Sequence, residues 1–124
     1  MFDESKFPLI ERSEIEALVR LIGKLYQPDY VILFGSYAAG NPNGHSDVDL
    51  CIIKKTNVPI RERSKEVWRL LQPYARKFLF PKDIVVYTPD EFNALKNHRH
   101  SFENTIWLTG QMLYARPELS SVLV

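Results

Sequence analysis

The chain has 124 residues, of which 45% are hydrophobic, and its 16 basic and 15 acidic side chains leave a formal net charge of +1. That length sets the expectation of one domain over residues 1–124, and the near balance of charge argues against a global field recruiting nucleic acid or an anionic membrane. A single cysteine excludes an intramolecular disulfide, no apolar run reaches the length of a membrane span, and MFDESKF lacks a basic-then-apolar signal pattern, so the expected location is cytoplasmic.

In chain order, Ser13 followed by Glu16 has the pattern of a capping box. Ile15, Leu18, Val19, Ile22 and Leu25 or Tyr26 then recur at helical spacing, which predicts an amphipathic first helix ending near Gln27 and Pro28. YVILF (30–34) reads as a buried strand, ended by Gly35 and Ser36, with Tyr37 to Ala39 as the first turn of a short helix. NPNG (41–44) is turn chemistry, and DVDLCIIK (47–54) is the second strand. Cys51 within it reads as a small buried hydrophobe rather than a nucleophile. A basic helix is expected over 61–78, kinked or split by Pro73. DIVVY (83–87) is the third strand, and the Thr-Pro-Asp-Glu run after it starts a short helix capped by Thr88. Ser101 to Thr109 reads as a last helix closed by Gly110, and QMLYA (111–115) as a fourth strand. Helix and strand thus alternate around a small sheet, while the direction and order of its strands are not legible.

The chemistry concentrates between residues 33 and 52, LFGSYAAGNPNGHSDVDLCI. Side chains alternate across a strand, so Asp47 and Asp49 would share a face. Two close carboxylates repel unless a proton or a cation intervenes, and a hard divalent ion such as Mg²⁺ suits oxygen ligands while keeping water and substrate phosphates in its shell. Asp83 opens the third strand and would supply a third carboxylate if that strand neighbours the second. The Gly35–Ser36 turn offers the complement: backbone N–H groups at a helix start, a glycine that lets a phosphate approach, and the Ser36 hydroxyl. Taken alone, an Asp-x-Asp or a Gly-Ser is a weak signal. Their combination, with ten residues (37–46) between them and an Asp opening a later strand, describes a nucleoside triphosphate site.

At these residues the sequence resembles the DNA polymerase β superfamily of nucleotidyltransferases, and more narrowly its minimal nucleotidyltransferase (MNT) group. The signature is Gly35-Ser36, residues 37–46, Asp47-Val48-Asp49, then Asp83, with GSYAAG and SDVDL matching the wider forms. The likeness spans roughly residues 12–115. It implies a polymerase β-like nucleotidyltransferase fold, an α+β fold with a small mixed β-sheet flanked by helices, and two Mg²⁺ ions held by Asp47, Asp49 and Asp83 as catalytic residues. Gly35, Ser36, Asp47 and Asp49 would bind the nucleotide, with ATP as donor, AMP transferred to a hydroxyl and pyrophosphate released. Many relatives carry an arginine where this chain has Ala39. A chain this short would need its acceptor presented by another protein, and among MNT proteins that partner is a HEPN-domain toxin for which the MNT protein is antitoxin. Two other classes stay open: a docking module that neutralises its partner without catalysis, and a dimeric small-molecule nucleotidyltransferase.

Other features read more plainly. His98-Arg99-His100 is expected to be a solvated loop, because two histidines lack the ligands a metal site needs. Arg61, Arg63, Lys65 and Arg69 alternate with Glu62 and Glu66, the pattern of a solvated helix face rather than an RNA-binding one. Trp68, Trp107 and the apolar Val122-Leu123-Val124 read equally as core or as partner surface.

Overall fold

A computed structural model describes residues 9–120. Its elements are α1 (Arg12–Tyr26), β1 (Tyr30–Phe34), α2 (Ser36–Ala39), β2 (Val48–Ile53), α3 (Ile60–Leu71), a 3-10 segment (Gln72–Lys77), β3 (Lys82–Tyr87), α4 (Pro89–Leu95), α5 (Phe102–Thr109), β4 (Gln111–Ala115) and α6 (Pro117–Ser120). The apolar Val122-Leu123-Val124 lies outside the described residues. Among those described, no helix is long and apolar enough to cross a membrane.

The four strands form one sheet in the order β3-β2-β1-β4. β1 runs antiparallel to β2 and to β4, whereas β2 and β3 are parallel. A parallel pair needs a crossover, and α3 with the 3-10 segment provides it. The sheet is therefore mixed and the fold α+β, as the resemblance implies.

The alternation of side chains gives the sheet two unlike faces. One presents Val31, Leu33, Val48, Leu50, Ile52, Ile84 and Val86 to Ile15, Leu18, Val19 and Ile22 of α1 and to Val67 and Leu71 of α3. The other presents Ile32, Cys51 and Ile53 to Phe92 of α4 and Ile106 of α5. Asp49 is the one residue of β2 that is not fully buried. Burial pushes the Cys51 thiol up to about 12, helped by the nearby Glu103 carboxylate, so the thiol stays protonated and inert at neutral pH.

Several local expectations need correction. The first helix is capped two residues earlier than expected: Glu11 is the N-cap and Glu14 completes the capping box, in place of Ser13 and Glu16. Its end follows the expectation, with Gln27 in the left-handed region at φ 53° before Pro28. Gly110 closes α5 at φ −77°, in ordinary backbone. Glycine is needed there for space, because a Cβ would stand 2.5 Å from the Ile106 carbonyl oxygen and 2.6 Å from Ile32. α5 is not the last helix, since α6 follows β4. Arg63 does not belong to a solvated face: it is 5% exposed and donates to Glu91 Oε1 at 2.6 Å and Oε2 at 3.1 Å, fastening α3 to the first turn of α4. The split at Pro73 and the Thr88–Glu91 capping box appear as the sequence predicts.

Candidate functional site

Antiparallel pairing of β1 with β2 sets Phe34 opposite Asp49, so the turn leaving β1 and the start of β2 lie at the same end of the sheet. Parallel pairing of β2 with β3 then sets Asp49 directly beside Asp83. Asp47 stands one residue before β2, exposed at its mouth, and Asp83 is exposed as well. Three carboxylates separated in sequence by up to 36 positions (47 to 83) thus meet at one corner of the sheet, Asp49 and Asp83 side by side.

Gly35 shapes the other half of this corner. Its backbone, φ 76° and ψ −157°, lies in a region essentially restricted to glycine. A Cβ on Gly35 would stand 2.2 Å from Asp49 Oδ2, so the carboxylate rests on the bare backbone of the turn. Ala38 and Ala39 donate to the Gly35 carbonyl at 3.1 and 3.0 Å, which makes Ser36 and Tyr37 the start of α2. The N–H groups of a helix's opening residues have no partner within the helix. At four residues α2 aligns few peptide dipoles, so the anion-binding capacity rests on these N–H groups and the half-buried Ser36 hydroxyl rather than on a macrodipole.

The loop between α2 and β2 is held by local bonds. Asn43 Oδ1 accepts from His45 N at 2.8 Å, Ser46 Oγ accepts from Asn43 N at 2.9 Å, and Val48 N donates to the Pro81 carbonyl at 3.0 Å. The last bond ties the approach to β2 to the approach to β3. Sequence reading missed Gln111, whose Nε2 donates to the Ala38 carbonyl at 2.8 Å while its Oε1 accepts from Arg12 Nη1 at 2.7 Å. This side chain on β4 braces α2 against α1, and a glutamine in a short strand carries no signal of that role.

Partial burial, helped by the neighbouring charges of Asp83 and then Asp47, pushes the Asp49 carboxyl up to about 6. The three groups therefore feel one another. Among the described residues no three His, Cys, Asp or Glu side chains form a group that could hold a metal ion by themselves. The donor chemistry at this corner suits a divalent cation all the same: carboxylate oxygens that raise one another's proton affinity are the hard ligands Mg²⁺ takes, alongside waters and phosphate oxygens. The basic residues elsewhere do not crowd the site. Arg63 is held by Glu91, and Lys54 Nζ bonds the Tyr26 carbonyl near the far end of β2. His98, Arg99 and His100 lie in an exposed turn, as expected, with His100 at φ 67°.

Over residues 16–119 the chain matches the family described as Polymerase beta, Nucleotidyltransferase. The chain belongs to the polymerase β nucleotidyltransferase family. Solved structures share its fold. A mutant of the MntA–HpeT toxin–antitoxin aligns at TM-score 0.57 and 17% identity, covering 91% of this chain and 80% of that one. A toxin–antitoxin with AMP-PNP aligns at TM-score 0.55 and 19% identity, over 88% of this chain and 78% of that one. A putative nucleotidyltransferase from Sulfolobus solfataricus aligns at TM-score 0.50 and 19% identity, over 86% and 91%. No curated protein matches the chain.

Proposed function

We propose that this nucleotidyltransferase moves AMP from ATP to a hydroxyl on a partner protein, and that it is the antitoxin of an MNT pair whose partner is a HEPN-domain protein. The observation carrying the reading is the register that sets Asp49 beside Asp83, with Gly35 bare against Asp49. The fold shared with two toxin–antitoxin structures, one of them with AMP-PNP, supports the choice of donor and partner.

In this reading the Ser36 and Tyr37 amides and the Ser36 hydroxyl donate to the β- and γ-phosphates. Asp47, Asp49 and Asp83 are the residues that would hold Mg²⁺, which when bound neutralises charge on the triphosphate and on the α-phosphoryl as it transfers. Asp83, exposed at the strand end, turns the oxygen of the incoming hydroxyl toward the α-phosphorus and takes up its proton as that oxygen attacks. The acceptor O–P bond forms, the bond from the α-phosphorus to its bridging oxygen breaks, and pyrophosphate leaves with the electron pair.

The test is transfer of label. Purified protein with its partner, Mg²⁺ and α-labelled ATP should label the partner and release pyrophosphate, while γ-labelled ATP should not. Transfer of γ-label instead would make the activity kinase-like and overturn the reading. A second reading is motivated by Ala39, which stands where many relatives carry an arginine: a docking module that neutralises its partner with nucleotide as a structural ligand. It prevails if no label transfers and Asp83→Asn neutralises the partner as well as wild type does.

A further inference from the structure

We propose that a basic groove along α1 docks an acidic segment of the acceptor protein, next to the corner of the sheet that carries the aspartates. The proposal rests on the reading above that the acceptor is a protein. Two adjoining clefts of about 530 and 820 Å³, with Glu14 and Lys77 in the walls of both, make up this channel. The first lies between α1 and the 3-10 segment, with Arg20 and Lys24 on one side and Lys77 on the other. The second carries Arg76 and Lys77 and ends at Ser46 and Pro81. Ser46 immediately precedes Asp47, and the Pro81 carbonyl accepts from Val48 N at 3.0 Å, so the second cleft ends on the α1 side of the sheet within two residues of Asp47 and Asp83 in the chain.

Charge decides what the channel fits. Arg20, Lys24, Arg76 and Lys77 are all exposed, and none is in an ion pair among the described residues, unlike Arg12, Arg63, Lys65 and Arg116. Glu14, the acid in the shared wall, is turned to the helix cap, where its Oε2 accepts from Glu11 N at 3.0 Å. The channel is therefore cationic although the chain as a whole is nearly neutral. From Glu14 to Lys24 α1 rises about 15 Å, at ~1.5 Å per residue. An extended segment at ~3.3 Å per residue would lay about five residues along that length. Of the wall rings Phe80 is buried and Tyr37, Tyr74 and Phe78 are half-buried, so none stands clear of the wall as a platform for base stacking. That favours a carboxylate-rich peptide over RNA.

The experiment is an anisotropy titration of fluorescein-labelled hexaglutamate peptide into the full chain, beside labelled hexauridylate RNA. Arg76→Glu with Lys77→Glu should weaken peptide binding about tenfold or more, while Arg61→Glu with Arg69→Glu on α3 should change it by less than about twofold. With a cognate partner, the groove variant should raise KM for that partner and leave kcat near wild type. Each of four results overturns the proposal: no peptide binding by wild type, equal loss in both charge reversals, wild-type binding by the groove variant, or tighter binding of the RNA than of the peptide. A thermal shift with ATP and Mg²⁺ runs alongside. Its absence in wild type would sink the nucleotidyltransferase reading, while the peptide titration decides the groove separately.

Discussion

Strand β2 shows two designs in six residues. Val48, Leu50 and Ile52 point into hydrocarbon from α1 and α3, while Asp49, Cys51 and Ile53 point to the face covered by α4 and α5. Both faces obey the same alternation, yet one carries a charge at its first position. Asp49 is tolerated because it lies at the strand end, only part-buried, above a glycine turn that leaves its carboxylate room. One pleat further in, at Cys51, a charge would be enclosed by Phe92 and Ile106. One face thus holds the fold together, and the rim of the other carries the aspartates of the proposed site at some cost in mutual repulsion.

Substitutions at adjacent positions can break that division. Asp49→Asn should lower label transfer by on the order of 10³-fold, as expected when electrostatic support of a transferring phosphoryl group is lost. Its metal-free melting temperature should hold or rise, because a repelled charge has gone. Leu50→Ala should behave in the opposite way. Leu50 is fully buried, so truncation should cost about 3 kcal/mol, read by urea melts, with activity per folded molecule little changed. A large loss of metal-free stability in Asp49→Asn would make the aspartate structural and collapse the distinction between the faces.

Gly35→Ala tests the seam where the two designs meet. The new Cβ would collide with Asp49 Oδ2 and force alanine into backbone at φ 76°. Strain of this kind costs about 2 kcal/mol, and moving the Asp49 carboxylate should also weaken the thermal shift given by ATP and Mg²⁺. A variant with wild-type melting and a wild-type nucleotide shift would show that the close approach of carboxylate and turn is incidental.

The sequence made all four strands legible, because YVILF, DLCII, DIVVY and QMLYA are short apolar or β-branched runs between strong breakers. Their order was not legible: hydrophobic runs do not record which neighbour they pair with, and only the pairing puts Asp83 beside Asp49. The capping error in α1 has a simple cause. Ser13 is a preferred N-cap residue and glutamate is not, so Glu11 gave no signal, although its side chain completes the same reciprocal bonds. Arg63 was misread because alternating charges look solvated whether or not one arginine turns inward to a glutamate 28 residues away. The Gly-Ser and Asp-x-Asp positions were the most legible part of the site, since glycine and charge are both costly beside a buried strand unless something uses them.

The smallest expected effect is also the most specific to the rim: the slope of stability with pH. Asp49 holds its proton up to about 6 in the folded chain, against an ordinary value of 3.8. Below the ordinary value both states are protonated and the rim contributes no penalty. Between about 4 and about 6 the unfolded chain binds fewer protons than the folded one, so metal-free stability should fall as pH rises through that window and then level. The size should stay near 1 kcal/mol, because water reaches a part-buried carboxylate and screens its neighbours. Glu91 slopes the other way. Hydrogen bonds from Arg63 hold its carboxyl below the ordinary 4.5, so its contribution is present above that value and is lost as pH falls through its folded value. The two windows lie mostly apart, and subtracting the curve of Asp49→Asn from that of wild type removes the Glu91 limb common to both. Urea melts in EDTA from pH 4 to 7 should leave a descending difference ending near pH 6. Parallel curves across that range would mean that Asp49 titrates as an ordinary surface carboxylate, and that the crowding of charge at this corner is not real.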